Sequence, residues 1–396
     1  MKRPHYPLAL LVPASHRRVI HAASLTLLLL ASLFTSLPGA SPKTRVDFAA
    51  SRVDALVNDA AKAGFSGVVL MAGSSHVLLE KSVGMADRDK SIPVEASMPW
   101  RWASVSKQVT AVIVAQLVAE GRLSLDKPVN AYLTAEEFPA KQAGAITIRQ
   151  LLRHTAGQSK PVHADGSTAG EALPPFYRAK VAPGSVHASA TRTICAGPAR
   201  HPAGEKFEYN NCDYLVLGAV IEKVTGRTFA EVLAARITGP LKLRSVVLAG
   251  EQQPEAAIVK GYADASRAET PFNLPTFGAS GALVGTPRDL LALDQALMGE
   301  SLMTAEMKKQ FWVGDPAIGY MGMGVWAFPA ALKGCREPVE LVERRGSIGG
   351  VQVRNVIAPK LLKALVIFTN RGDWDFGDIR QGKGFAYELL SAGFCP

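Results

Sequence analysis

The sequence contains few charged residues and few cysteines for its length. Only 20% of its 396 residues are charged and four are cysteine, whereas 48% are apolar. A chain this apolar buries a sizeable core, which excludes a disordered or fibrous protein. The low cysteine content excludes a small scaffold held together by disulfide bonds. The length allows two or three domains, or one large domain with an insertion.

Several motifs of known catalytic and metal sites are also absent. The chain has no Gly-x-Ser-x-Gly, which excludes the nucleophile elbow of an α/β-hydrolase. It has no His-Glu-x-x-His and no paired Cys-x-x-Cys, so it offers no ready-made zinc site. We therefore predict no metal site.

Acidic residues are missing from the first 40 residues, which contain four basic ones. An uncharged apolar run from Ala22 to Leu37 ends at Pro38-Gly39-Ala40. This pattern predicts a secretory signal peptide over residues 1–40 and a periplasmic or secreted protein. The alternative is an uncleaved anchor helix, the one case in which we expect a membrane association.

The net charge indicates which partners to expect. The formal charge is +10, and subtracting the +4 of the N-terminal segment leaves about +6 on the mature chain. This mild basicity is compatible with acidic polymers of the cell envelope and does not favour nucleic acid as a partner.

Export makes disulfide bonds possible, and four cysteines allow three pairings. Cys195 with Cys212 is the simplest local closure, which leaves Cys335 to pair with Cys395. The sequence does not choose among the three pairings, and free buried thiols remain an alternative.

The mature chain alternates between helical and β-like patterns. Two β-like runs, Phe65 to Met71 and His76 to Val83, flank Gly73-Ser74-Ser75 and predict a hairpin. A stretch rich in Pro, Gly, Ser and His, from Pro161 to Pro202, predicts either an ordered loop over the site or a mobile insertion. Apolar spacing predicts helices over 51–63, 104–120, 147–153, 214–224, 229–237, 288–297 and 385–392. Four β-like runs lie near the C-terminus, over 322–328, 339–343, 351–357 and 365–370.

The order of these elements predicts an α+β fold. Strands from both ends of the chain would complete one antiparallel sheet flanked by helices, with a mainly helical lobe inserted between them. We expect one domain over 41–396, with an α/β lobe at about 45–103 and 275–396 and a helical lobe at about 104–274. A functional site would lie in the cleft between the lobes.

The first chemical motif is Ser104-Val105-Ser106-Lys107, which begins a long apolar helix. A spacing of three places Ser104 and Lys107 on one face, one turn apart. A desolvated lysine amine can take the proton of a serine hydroxyl, and a helix N-terminus offers backbone N–H groups to an oxyanion. The motif predicts Ser104 as the nucleophile; the alternative is a helix cap with a solvated lysine.

The second motif is Tyr209-Asn210-Asn211, which lies directly before the helix predicted to begin at Tyr214. A tyrosine beside a cationic lysine is pushed towards the phenolate and can move protons. An asparagine amide can orient a substrate carbonyl or the lysine. The alternative is a loop tyrosine with a capping asparagine.

Together, Ser104-x-x-Lys107 and Tyr209-x-Asn211 resemble the motifs of the class C β-lactamase-like serine hydrolases, a superfamily that includes D-Ala-D-Ala carboxypeptidases, D-aminopeptidases and esterases. Three further segments are similar to stretches of that superfamily. They are Leu151-Leu152-Arg153-His154-Thr155-Ala156-Gly157, Gly281-Ala282-Leu283 with Thr286 to Leu290, and Phe368-Thr369-Asn370-Arg371. The resemblance implies a β-lactamase/DD-peptidase-like fold, and it implies that His154 is buried and structural.

The third motif of the superfamily, His-x-Gly or Lys-Thr-Gly, is altered in this chain. The best alignment gives Arg344-Arg345-Gly346-Ser347. Gly346 would let the substrate backbone approach closely, and the Ser347 N–H would join that of Ser104 as an oxyanion donor. Arg344 can hold a substrate carboxylate but cannot relay protons, which disfavours efficient β-lactam hydrolysis.

The resemblance implies a two-step mechanism with an acyl-enzyme on Ser104. Lys107 and Tyr209 would move the proton, while Asn211, Arg344 and Gly346 would bind the substrate. The mechanism implies no metal and no organic cofactor. The expected substrate is a small molecule or a peptide, including cell-wall derived ones, and the expected activity is that of a D-alanyl peptidase or esterase. The alternatives are a β-lactamase proper or a non-catalytic penicillin-binding sensor, and the substrate and the oligomeric state stay open.

Overall fold

The computed structural model describes residues 42–159, 173–182, 184–250 and 258–395. The predicted signal peptide, residues 1–40, lies outside these described residues, as do parts of the predicted loop Pro161 to Pro202. In the described part of the chain, no helix combines the length and the hydropathy needed to cross a membrane. The predicted lobe boundaries stay a prediction.

The predicted helices and strands occur in the predicted order, most of them with ends shifted by a few residues. The helices are α1 (Pro42–Lys62), α2 (Ser106–Ala119), α3 (Ile148–Leu152), α4 (Val186–Arg192), α5 (Asn211–Thr225), α6 (Phe229–Leu233), α7 (Gly239–Leu241), α8 (Gly278–Gly281), α9 (Pro287–Met298), α10 (Ala305–Phe311) and α11 (Phe385–Phe394). α1 begins nine residues before its predicted start at 51, and α4 lies within the stretch predicted as a loop, Pro161 to Pro202. The strands are β1 (Gly67–Gly73), β2 (Val77–Val83), β3 (Met85–Asp87), β4 (Ile92–Pro93), β5 (Trp100–Arg101), β6 (Val247–Leu248), β7 (Leu283–Gly285), β8 (Trp326–Ala330), β9 (Val339–Ile348), β10 (Val351–Ala358) and β11 (Lys363–Thr369).

The main sheet joins strands from both ends of the chain. Its six strands are ordered β2-β1-β11-β10-β9-β8, and every neighbouring pair is antiparallel. β1 and β2 form the predicted hairpin, and β1 pairs with β11, so that Gly67 faces Thr369. The prediction of an α+β fold with one antiparallel sheet is confirmed.

Alternation along the strands divides the core into two layers. Val68 and Leu70 pack in a large cluster with residues of α2, α5 and α9, whereas Val69 and Met71 pack with residues of α1 and α11. Successive strand residues face opposite sides of a sheet, so both faces of β1 are buried. α2, α5 and α9 therefore lie on one side of the main sheet, and the two terminal helices, α1 and α11, cover the other.

Two of the helix starts that differ from the prediction lie at the site. The α-helix predicted from Ser104 begins at Ser106, because Ala103–Val105 forms a separate 3₁₀ turn. The helix predicted from Tyr214 begins at Asn211, because the Asn210 side chain accepts a hydrogen bond from Cys212 N and caps the first turn. Asn211 is thus the first residue of α5 and not part of the preceding loop.

The four cysteines form two disulfide bonds. Cys195 pairs with Cys212, and Cys335 pairs with Cys395. The first bond ties the segment after α4 to the first turn of α5. The second ties the loop after β8 to the end of α11, on the sheet face opposite α2.

Candidate active site

Ser104 lies on a tight turn between β5 and α2. The residue before it, Ala103, has φ +48, which is left-handed backbone that favours glycine. β9 runs alongside this turn: a Cβ on Gly346 would lie 2.8 Å from Trp102 O and 3.2 Å from Ser104 N. Glycine at position 346 therefore lets the strand approach the backbone of the nucleophile itself. The approach of a substrate backbone to Gly346 stays a prediction.

Lys107, one turn further along α2, is completely buried. Its Nζ donates to Ser104 Oγ at 3.2 Å, to Asn211 Oδ1 at 2.8 Å and to the Ser280 carbonyl at 2.7 Å. These three acceptors match the three protons of an ammonium group. Two of them anchor the group, so that the third proton is directed at the nucleophile.

Tyr209 approaches Ser104 from the other side. Its Oη lies 2.7 Å from Ser104 Oγ and accepts a 2.9 Å hydrogen bond from Arg344 Nη2. The Lys107 ammonium lies 4.9 Å from the centre of the Tyr209 ring. The hydroxyl of Ser104 is therefore within hydrogen-bond reach of two titratable groups from different elements.

The surroundings change the pKa values of both groups. Burial lowers the pKa of the Lys107 ammonium to about 8, against the raising effect of Tyr209. Burial alone would raise the pKa of the Tyr209 hydroxyl, but the positive charges of Lys107 and Arg344 outweigh it and lower this pKa to about 8. Both groups can thus exchange protons near neutral pH, as general acid–base catalysis requires.

Asn211 bridges Lys107 and an aromatic residue. Its Oδ1 accepts from Lys107, and its Nδ2 donates to Tyr177 Oη at 3.3 Å. Tyr177 belongs to a 3₁₀ turn, Pro175–Arg178, and stacks on Phe277 with ring centres 4.3 Å apart. Burial raises the pKa of Tyr177 to about 12, so this hydroxyl stays neutral. No sequence pattern pointed to Tyr177; only its place in the loop before the Tyr-x-Asn motif was a signal.

Arg344 is completely buried and faces the nucleophile. Its Nε donates to the Ser104 carbonyl at 2.8 Å, and its Nη2 donates to Tyr209. Nη1 is buried without a hydrogen-bond partner in the described residues. The predicted contact with a substrate carboxylate stays a prediction, and among the three guanidinium nitrogens it is Nη1 that has no partner to give up within the described part of the chain. The contact with Tyr209 was not predicted from the sequence.

Ser347 lies on β9 beside the same turn. Ile348 and Val351 close a two-residue hairpin, so the next pair, Ser347 with Gln352, is a non-hydrogen-bonded pair of the ladder. The Ser347 N–H therefore points away from β10, towards the side where β8 has ended: β8 pairs with β9 only as far as Glu343. This donor is available to a ligand next to Ser104.

His154 and Asp213 form a buried pair beneath Tyr209. His154 Nδ1 lies 2.7 Å from Asp213 Oδ2, and the His154 and Tyr209 ring centres are 4.4 Å apart. Burial lowers the pKa of His154 and raises the pKa of Asp213, which favours the neutral form of both. The prediction that His154 is buried and hydrogen-bonded is confirmed.

Metal-ligating side chains are not clustered at this site. In the described ranges, no group of three or more His, Cys, Asp or Glu residues is placed to hold a metal ion. The chemistry that the described groups offer is that of an activated serine hydroxyl between two proton-exchanging side chains.

The sequence is similar to a protein family and to several curated proteins. A family model described as beta-lactamase matches residues 52–382. Among curated proteins, the chain is 29% identical to Esterase EstB of Burkholderia gladioli over 201 residues, which are 49% of this chain and 50% of that protein. It is 26% identical to Protein flp of Staphylococcus aureus (strain MW2) over 177 residues, 44% of this chain and 33% of that protein. The chain thus spans between a third and a half of the length of these relatives.

Solved structures share the fold over most of the chain. The penicillin binding protein from Bacillus halodurans superposes with a TM-score of 0.66 at 24% identity, covering 86% of this chain and 98% of that one. The D-amino acid amidase from Ochrobactrum anthropi SV3, complexed with L-phenylalanine amide, gives 0.70 at 20% identity, covering 87% and 98%.

Proposed function

Because the chain belongs to the beta-lactamase family, we propose that it is an exported serine hydrolase that cleaves amide, ester or lactam bonds through an acyl-enzyme on Ser104. One observation carries the proposal: Ser104 Oγ lies within hydrogen-bond reach of both Lys107 Nζ and Tyr209 Oη. A serine hydroxyl is a weak nucleophile until a neighbouring group takes its proton, and here two groups are placed to do so.

The charges around Tyr209 favour it as the base. An ammonium and a guanidinium only donate, so Ser104 Oγ accepts from Lys107 and Tyr209 Oη accepts from Arg344. In the remaining hydrogen bond, 2.7 Å long, a neutral Tyr209 donates to Ser104 Oγ, whereas a Tyr209 phenolate accepts the Ser104 proton. The two cations beside Tyr209 favour the phenolate, which is the form that removes a proton.

The proposed reaction has two steps. Ser104 Oγ attacks the carbonyl carbon while its proton passes to Tyr209, and the oxyanion is held by the N–H groups of Ser104 and Ser347. The leaving group then takes the proton from Tyr209 as its bond to carbon breaks. In the second step, water gives a proton to Tyr209 and attacks the ester, and Ser104 recovers its proton when the acid leaves.

The relatives narrow the proposed substrate class. One is named an esterase and one structural neighbour a D-amino acid amidase, which supports an ester or an amide as the substrate. We propose peptides of the cell wall as one source of such amides. Two disulfide bonds support an oxidising compartment and hence the proposed signal peptide and a periplasmic or secreted location.

Covalent labelling tests the proposal. The purified mature protein is incubated with a fluorophosphonate and with a fluorescent penicillin, and intact mass is followed beside Ser104→Ala and Ser347→Ala. We expect an adduct of one probe mass that is lost in Ser104→Ala and kept in Ser347→Ala, because the second variant retains its backbone N–H.

The outcomes separate the alternatives. A fluorophosphonate adduct with slow penicillin labelling supports an esterase or peptidase, and penicillin turnover would indicate a β-lactamase. A penicillin adduct that persists without turnover would indicate a penicillin-binding sensor. Folded wild-type protein without any adduct would overturn the assignment of Ser104.

A further inference from the structure

His187 lies on α4, away from the nucleophile, and its side chain is almost completely buried. Its Nε2 accepts a 2.9 Å hydrogen bond from Ala279 N. A backbone N–H can only donate, so Nε2 carries no proton and Nδ1 carries it. Nδ1 then donates to Glu222 Oε1 at 3.0 Å, which makes Glu222 of α5 the group that fixes the tautomer.

The fold leaves a fitted space for this imidazole. A Cβ on Gly218 would lie 2.4 Å from His187 Cδ2, and one on Gly278 would lie 2.6 Å from His187 Nε2. Gly278 also has φ +42, a conformation that favours glycine. The ring is therefore held between α5 and the short helix α8. The Phe229 ring packs edge-on against it, with the two ring centres 5.5 Å apart.

The turn that His187 holds also holds the catalytic lysine. Ala279 N binds His187, and the carbonyl of the next residue, Ser280, accepts the 2.7 Å hydrogen bond from Lys107 Nζ. The Ala279 carbonyl accepts in addition from Thr110 Oγ1 of α2 at 2.8 Å. A short turn that is fixed at Ala279 thus sets where the Ser280 oxygen lies.

We infer that His187, in its Nδ1–H tautomer, is a positioning residue that fixes α8 and thereby aims the third N–H of Lys107 at Ser104. The inference rests on the proposed function, since its effect is read at the nucleophile. Without the His187 acceptor, the bond from Thr110 to the Ala279 carbonyl remains, but the Ala279 N–H is no longer fixed, so the Ser280 carbonyl shifts and its hydrogen bond to the ammonium weakens. The charged form of Lys107 is then less favoured, while the titratable groups that face it, on Tyr209, Arg344 and Asp213, stay unchanged.

The test uses two variants of His187 and one control. His187→Leu removes the acceptor and keeps most of the volume, and His187→Gln offers an amide oxygen near the Nε2 position. Phe229→Leu is the control, because it disturbs packing on the same ring and leaves the hydrogen bonds to α8. Fluorophosphonate labelling rates are measured from pH 6 to 10, with the thermal midpoint of each variant.

In His187→Leu we expect the labelling rate to fall about tenfold, and the alkaline limb of its pH profile to move about one unit lower in pH. In His187→Gln we expect the labelling rate to stay within about threefold of wild type. Phe229→Leu should lower the thermal midpoint and leave the pH profile unchanged. If His187→Leu matches Phe229→Leu in both rate and profile, the positioning role is overturned. Wild-type protein that never labels would instead remove the proposed function and, with it, this inference.

A spectroscopic measurement decides the tautomer even if His187→Leu fails to fold. Nitrogen-15 NMR of the histidine rings, with the His187 signals identified by their loss in His187→Gln, should show a protonated Nδ1 and an unprotonated Nε2. A protonated Nε2 in wild-type protein would overturn the inference, because that nitrogen would then face Ala279 N–H as a second donor.

Discussion

Arg344 Nη2 donates a 2.9 Å hydrogen bond to Tyr209 Oη, which places a permanent cation beside the proposed base. The position of Arg344 follows from strand alternation, because it lies on the same face of β9 as Gly346, the residue that touches the nucleophile turn. A guanidinium keeps its proton throughout the pH range of enzymes. Its charge therefore stabilises the phenolate of Tyr209 at every pH at which the enzyme would act.

Replacing Arg344 by methionine should shift the pH dependence of the reaction. Loss of the cation raises the pKa of Tyr209 above its value of about 8, so the acidic limb of kcat/KM should move to higher pH by about one unit or more. Arg344→Lys retains a charge and should shift the limb less. The profile is measured with a chromogenic ester between pH 5 and 10.

Arg345→Met is the matched control. The guanidinium of Arg345 pairs with Glu343 at 2.9 Å on the other face of β9. Its loss should leave the acidic limb where it is in wild type. An unchanged limb in Arg344→Met as well would show that Arg344 does not set the pKa of the base.

Ser347 tests the oxyanion site through its backbone. Ser347→Pro removes the N–H that points away from β10, and we expect kcat to fall by about 10²–10³. Ser347→Ala keeps this N–H and should retain activity within about twofold. Steady-state kinetics with circular dichroism of both variants checks the prediction. A fully active, folded Ser347→Pro would show that the oxyanion donor lies elsewhere.

The buried pair of Asp213 and His154 predicts a stability effect. Burial raises the pKa of Asp213 above 3.8, so folding takes up a proton and this contribution is full at low pH and declines as pH rises through the folded pKa. His154 Nδ1 accepts from Asn210 N at 3.3 Å, so the neutral Asp213 donates to it as well. The amide of Asp213→Asn can donate in the same way and has no proton to lose. Urea unfolding from pH 4 to 9 should therefore show a smaller decline in the variant.

The same measurement separates the two protonation states of the pair. If Asp213 were a carboxylate paired with a charged His154, Asp213→Asn would leave that charge buried without its partner at low pH and cost about 3–5 kcal/mol there. The neutral pair instead predicts a loss below about 2 kcal/mol at low pH.

The sequence predicts those parts of the site that depend on local spacing. Ser104 and Lys107 meet because a helical turn brings residues three apart together. The motif at Tyr209 and Asn211 was recognised from its residue types, but its closeness to Ser104 was expected only through a family resemblance, since a distance of 105 residues along the chain carries no local signal.

The remaining contacts have no counterpart in the sequence pattern. The Ser280 carbonyl that binds Lys107 is a backbone group, so the identity of residue 280 says nothing about it. His187 is placed by the packing of α4 against Gly218, and Tyr177 by a loop without periodicity. Arg344 is an exception: its side chain could have been predicted to point towards the nucleophile, because Arg344 lies on the same face of β9 as Gly346.

The two disulfide bonds should differ in their effect on activity. Cys195–Cys212 closes 17 residues of chain and joins the first turn of α5, where Asn211 binds Lys107. Cys335–Cys395 closes 60 residues on the opposite face of the sheet. Chain entropy predicts losses of about 3 and about 4 kcal/mol in the free energy of unfolding when the respective pair is replaced by serine.

The effect of each disulfide bond on activity should depend on where the bond lies and not on how much it contributes to the free energy of unfolding. The double variant at Cys195 and Cys212 frees the segment that carries Tyr209 and Asn211, so kcat/KM should fall several-fold at a temperature where the protein is folded. The double variant at Cys335 and Cys395 should keep its activity there, although it loses more stability. Kinetics of both variants at 15 °C, with unfolding followed in parallel, compares them directly. Equal activities would mean that packing alone positions the first turn of α5, since that helix is buried along most of its length.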